Sequence, residues 1–93
     1  PHADIYVPSA FTPNDDERND ILRPTLMGIK ELHYFRVYNR WGQLMFETKT
    51  NYAGWDGKYK GAPQSTQVFV WIVEGAGVDG RVYSKKGTST LIR

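Results

Sequence analysis

The sequence predicts an all-β domain, a single small Ig-like β-sandwich of about seven antiparallel strands spanning residues 1–93. Short segments rich in β-branched and aromatic residues alternate with clusters of Gly, Pro, Asn and Asp, which end strands and make turns. Apolar residues recur with a period of two, as they do where one face of a strand is buried. The chain has room for six or seven such strands and contains no long amphipathic helix pattern.

Ile5-Tyr6-Val7 reads as a first strand, closed by Pro8. Gly28 to Leu32 is the only stretch that reads as a helical turn. Leu32 to Asn39 is the clearest strand, with His33, Phe35 and Val37 on one face and Tyr34, Arg36, Tyr38 and Arg40 on the other. Asn39 to Gly42 makes a turn, and Leu44 to Thr48 returns as its hairpin partner. Val68 to Val73 is continuously apolar, which predicts a central strand covered on both faces. The core is therefore expected to include Phe35, Val37, Val70 and Ile72, with Trp55 packed near the Asn39–Gly42 turn. Gly75, Gly77 and Asp79-Gly80 turn the chain, and Arg81 to Ser84 and Thr88 to Ile92 complete it as strands.

Ninety-three residues make one domain with a modest core, in which roughly 60–65% of the unfolded surface is buried. A composition of 40% hydrophobic and 14% aromatic residues is globular. No apolar run approaches bilayer length, so the chain has no membrane span of its own. It opens on proline without a signal-peptide pattern and reads as a piece of something longer. The absence of cysteine excludes disulfides and thiolate chemistry. A net charge of +2 is too small to imply nucleic acid. The first twenty residues are acidic, through Asp4, Asp15, Asp16, Glu17 and Asp20, whereas from Arg81 onward Arg81, Lys85, Lys86 and Arg93 have no acidic neighbour in sequence. Such a basic edge suits an acidic partner surface.

No enzymatic constellation is present. His2 and His33 sit in no zinc spacing, Ser9, Ser65, Ser84 and Ser89 lack an elbow motif, and there is no phosphate-binding glycine loop. No cofactor is expected. The loop from Asn14 to Asp20 carries the oxygen donors that calcium takes, in Asn14, Asp16, Asn19 and Asp20, but it lacks the glycine and spacing of an EF-hand. Asx-turns after Pro13 account for the same residues. Trp41 beside Arg40, with Trp55-Asp56-Gly57 downstream, reads either as an exposed stacking platform or as a structural lock in which Asp56 accepts turn amides. A glycine follows each tryptophan motif, Gly42 and Gly57, and favours the lock.

In order, the chain carries Pro8, Phe11-Thr12-Pro13-Asn14, Asp16, Asn19-Asp20, Val37 to Gly42, Phe46, Trp55-Asp56-Gly57, Gly61, Phe69-Val70-Trp71 and Thr90-Leu91-Ile92-Arg93. This combination resembles the gliding-motility-associated carboxy-terminal domain, the type B sorting domain of type IX secretion in Bacteroidota. Asp15 and Glu17 stand where that family has loop glycines, and Ser89 where valine is common. The resemblance implies a non-catalytic sorting signal for a covalently linked amino-terminal cargo. The signal would be read by the type IX translocon and a PorP/SprF-like outer-membrane protein, and its cargo would reach the cell surface or medium. Arg40, Trp41, Lys85, Lys86 and Arg93 are the expected partner contacts, Arg40 first, as a polar contact or a turn anchor, because its guanidinium offers a fixed fork of donors. Asn39, Gly42, Trp55, Asp56 and Gly57 are the expected structural motif. The alternative is an Ig-like adhesion or carbohydrate-binding module that stacks sugars on Trp41 and Trp55. Accessibility of those two rings separates the readings.

Overall fold

A computed structural model describes residues 3–13 and 20–93. Among them run β1 (Asp4–Tyr6), β2 (Ala10–Phe11), β3 (Thr25–Met27), β4 (Ile29–Tyr38), β5 (Leu44–Thr48), β6 (Lys58–Tyr59), β7 (Ala62–Pro63), β8 (Gln67–Gly77) and β9 (Val82–Leu91). The main sheet has the order β2-β9-β8-β4-β5, and β1-β3 and β6-β7 form two small sheets. The run β9-β8-β4-β5 is antiparallel, and β2 closes part of the β9 edge in parallel register, Ala10 opposite Thr90 and Phe11 opposite Leu91. The expectation of an all-β sandwich holds, with this parallel pair added to the antiparallel plan.

One layer of apolar side chains lies between the main sheet and the elements that cover it. Phe35 and Val37 of β4, Phe69 and Val73 of β8, and Leu91 of β9 meet Ile5, Phe11, Leu22 and Trp55, all at most 1% exposed. Along β8 the odd-numbered residues Phe69, Trp71 and Val73 point inward. Val68 and Val70 are 47% and 39% exposed on the other face, and Ile72 is half-buried there. This corrects the expected core membership of Val70 and Ile72 and the expectation of a strand covered on both faces. β8 is central in the sheet, between β4 and β9, but among the described residues the covering layer lies on one side of it only.

Two further corrections concern β4. Residues 28–32 form no helical turn: Gly28 joins β3 to β4, and Ile29 already pairs with Gly77. Register shifts against β8 fall between Ile29 and Glu31 and between Leu32 and Tyr34. The second inserts His33 as an extra residue, so Leu32 is buried and His33 leaves the Phe35–Val37 face. His33 Nδ1 instead lies 2.9 Å from Glu74 Oε2.

Among the described residues the most buried polar side chain is Ser89, 1% exposed. Its hydroxyl accepts the Trp71 Nε1–H at 2.9 Å and donates to the Pro8 carbonyl, tying β8, β9 and the β1–β2 link through one oxygen. Ser89→Ala is expected to cost about 1–3 kcal/mol in urea denaturation, because a buried N–H and a carbonyl lose their partner together. In a double-mutant cycle, Trp71→Phe should cost less in the Ser89→Ala background than alone. Additive costs would rule the shared hydroxyl out.

Candidate functional site

Asn39 builds the turn between β4 and β5 with its own side chain. Asn39 Oδ1 accepts the amides of Trp41 and Gln43, each at 2.9 Å, and Nδ2 donates to Gln43 Oε1 at 3.1 Å. The Gly42 amide closes the turn on the Asn39 carbonyl at 3.0 Å, with Gly42 at φ +83°, in the left-handed region that glycine occupies without strain. The turn anchor is therefore Asn39 and not Arg40. Arg40 lies with its guanidinium carbon 4.8 Å from the centroid of the Trp41 ring, and Trp41 is 78% exposed. The pair forms a cationic, flat-faced tip. Gln43 Nε2 donates to Tyr59 Oη at 3.2 Å and so ties the hairpin to β6.

Trp55 behaves oppositely. It is 1% exposed, its ring lies 4.7 Å edge-on from Phe69 and 5.8 Å from Phe11, and Nε1 donates to the Lys58 carbonyl at 2.8 Å. Its backbone exchanges hydrogen bonds with Leu22 in both directions, at 2.8 and 2.9 Å. The lock reading of the Trp-Asp-Gly motif is the one observed, although the ring packs on core aromatics rather than serving the Asn39–Gly42 turn. Asp56 Oδ1 accepts the Lys58 amide at 3.0 Å, as an Asx-turn does. The two-tryptophan sugar platform is not formed, since only Trp41 is accessible.

Arg93 is used inside the molecule. Its guanidinium donates to the carbonyls of Gln64, of Pro13 at 3.1 Å and of Gly57 at 3.2 Å, and its amide donates to Thr66 Oγ1 at 2.9 Å. A planar fork of fixed donors suits three converging carbonyls. Beside it lies a cleft of about 300 Å³ bordered by Pro13, Asp20, Asp56, Lys58 and Arg93. No local sequence signal announces this clamp, because its partners lie up to 80 positions away. Of the calcium candidates, Asn14, Asp16 and Asn19 lie outside the described residues, and Asp20 borders this cleft. Among the described residues no group of three or more His, Asp and Glu is placed to hold a metal ion.

Lys85 and Lys86 do not form one basic edge. Lys85 stands opposite inward-facing Val73, and Lys86 opposite outward-facing Ile72. Lys85 Nζ reaches Asp4 Oδ1 at 2.8 Å. That hydrogen bond, with a second from the Ile5 amide, holds the Asp4 carboxyl below its ordinary pKa against a small opposing effect of desolvation. Lys86 extends from the uncovered face of the sheet, where Tyr34, Arg36 and Tyr38 of β4 also lie. Arg36 sits 4.3 Å over the Tyr34 ring and bonds to Glu47, which raises the guanidinium pKa further. At the β8–β9 turn, the Tyr83 hydroxyl donates to Asp79 at 2.5 Å, lowering the carboxyl pKa and raising that of the phenol.

This surface offers rings, cations and an uncovered sheet, which suits recognition of another protein. Residues 5–90 match the family model described as the CHU_C type IX secretion signal domain. No curated protein and no solved structure matches the chain.

Proposed function

The chain belongs to the CHU_C type IX secretion signal domain family, and from that premise we propose that it is the type B, gliding-motility-associated carboxy-terminal label of a larger Bacteroidota protein, read by a PorP/SprF-like partner at the outer membrane. The domain acts as a sorting signal for export through the type IX system, toward the cell surface. The family match along nearly the whole domain carries this reading. Support for the finer role comes from the Arg40–Trp41 tip, where a cation and an exposed ring are held out by a turn that needs neither of them for its own hydrogen bonds. Aromatic and arginine side chains of this kind anchor protein interfaces. The role is recognition, and any catalytic activity of the exported protein would reside in its cargo.

The test is export of a fluorescent protein carrying this chain at its carboxyl end, in a strain with an intact type IX system and the cognate partner. Fluorescence is expected in the medium or on the cell surface, and retention of the whole fusion in the periplasm would overturn the reading. Arg40→Ala/Trp41→Ala is expected to lower export while shifting stability by no more than about 0.5–1 kcal/mol, since both side chains are at the surface. Unchanged export of that variant would remove the tip from the contact.

A further inference from the structure

Beyond β2 the edge of the main sheet has no hydrogen-bonded strand among the described residues, although β1 packs beside β9 there through Asp4 and Lys85. β2 covers β9 from Thr90 to Ile92. There the amides of Thr90 and Ile92 point outward, donating to the carbonyls of Ser9 and Phe11 at 2.9 and 3.0 Å. The β8–β9 register is unbroken from Val82 to Leu91, so the two-residue period continues along the strand. The backbone N–H and C=O groups of Ser84, Lys86 and Thr88 therefore face the same edge, and no described residue hydrogen-bonds to them there. An edge of this kind is a template for another strand. Chemistry narrows the occupant. From Arg81 to Arg93 the chain has no acidic residue; Lys85 is paired with Asp4 and Arg93 is spent on internal carbonyls, so the cation offered along this edge is Lys86, exposed between Ser84 and Thr88. A second copy paired through the same edge would lay lysine against lysine, which is unfavourable. An acidic strand would find Lys86 on the uncovered face, and the existing Asp4–Lys85 ion pair shows that a carboxylate is already accommodated beside this strand. On the uncovered face, inward of this edge, lies an open groove of about 350 Å³ bordered by Tyr34, Ile72, Ser84 and Lys86, within reach of a long side chain of an added strand.

We propose that the Ser84–Thr88 edge of β9 takes up an extended acidic segment of the protein that reads this signal, as a further strand in line with β2. That the occupant belongs to the export machinery rests on the sorting role above; the strand addition rests on the geometry. Main-chain hydrogen bonds would supply affinity, and the charges and the groove would supply selectivity.

The probe is a ten-residue peptide of alternating Glu and Val, titrated into the chain with amide hydrogen exchange followed by NMR. Exchange at Ser84, Lys86 and Thr88 should slow about tenfold when free peptide stands at about ten times its dissociation constant, with little change at β5. A Lys–Val peptide should give no protection. Thr88→Pro removes one outward N–H without touching the β8 ladder, and it should abolish the effect, as should Lys86→Glu. Protection by both peptides, by neither at millimolar concentration, or self-association of the chain through this edge in sedimentation would overturn the proposal. Export separates the two readings. If the wild-type fusion is exported and folded Thr88→Pro and Lys86→Glu fusions are exported equally well, strand addition fails and the sorting role stands. If the wild-type fusion is not exported, the sorting role fails and the peptide titration judges the edge by itself.

Discussion

Trp55→Ala is expected to destabilise the domain by about 3–5 kcal/mol, the range for removing a large aromatic side chain from a packed core. A domain of this size holds about 5–15 kcal/mol in total, so the variant would stand near the limit of folding. The cost has separate sources. The ring is 1% exposed and fills the space between Phe11 and Phe69. Its Nε1–H is the partner of the Lys58 carbonyl. Its backbone is the one bridge that Leu22 makes outside the named strands. Trp55→Phe keeps much of the packing but loses the hydrogen bond, and should cost distinctly less than the alanine variant. Urea denaturation with a constant m-value is the measurement. A loss below about 1 kcal/mol for Trp55→Ala would place the ring outside the core and restore the sugar-platform reading.

The second large effect is expected at Gly57, with Gly42 as its internal comparison. The two glycines share nearly the same backbone, at φ +81° and +83°. Alanine at either position should cost about 1–2 kcal/mol for the left-handed conformation alone. At Gly42 nothing lies within 4 Å of the added carbon. At Gly57 it would stand 2.9 Å from Leu91 Cδ1, 3.1 Å from Pro13 Cγ and 3.3 Å from Arg93 Nη2. Leu91 is fully buried and the other two groups belong to the Arg93 clamp, so the clash cannot be relieved by a free side chain. Gly57→Ala should therefore cost about 2–4 kcal/mol and loosen Arg93, visible as faster exchange of its Nε–H. Equal losses for the two variants in the same denaturation experiment would show that the Gly57 carbonyl is not the seat of a packed clamp.

How far each feature could be read depended on how local its cause is. The β4–β5 hairpin was legible because Phe35, Val37 and the Asn39–Gly42 turn carry their signals within a few residues of one another. The facing of β8 was not legible. Six consecutive apolar residues contain no alternation, so which parity turns inward depends on a covering layer made by Ile5, Phe11, Leu22 and Trp55, far away in the chain. The bulge at His33 was hidden for a similar reason. Its extra residue exists only relative to β8, and it reverses the face that simple alternation assigns. In the candidate site, Asn39 and Asp56 act as turn residues on amides two to four positions away, which sequence spacing exposes. The Arg93 clamp, the Lys85–Asp4 ion pair and the Ser89 hydroxyl join segments separated by up to 81 positions, where no pattern in one sequence can point to the partner.

By itself, then, the sequence determined the all-β class, the turn chemistry and, through an ordered set of motifs, the family and its sorting role. Strand period, turn residues and motif order are properties of neighbouring residues, and neighbours are what a sequence displays. Tertiary structure alone decided that Trp55 is buried while Trp41 is displayed, that Arg93 is spent on internal carbonyls, and that Lys85 and Lys86 face opposite ways. It also left the Ser84–Thr88 edge without a hydrogen-bonded strand among the described residues. Those outcomes depend on which distant strands pair and which side of the sheet is covered, because burial and hydrogen-bond partnership are set by the packing of the whole chain.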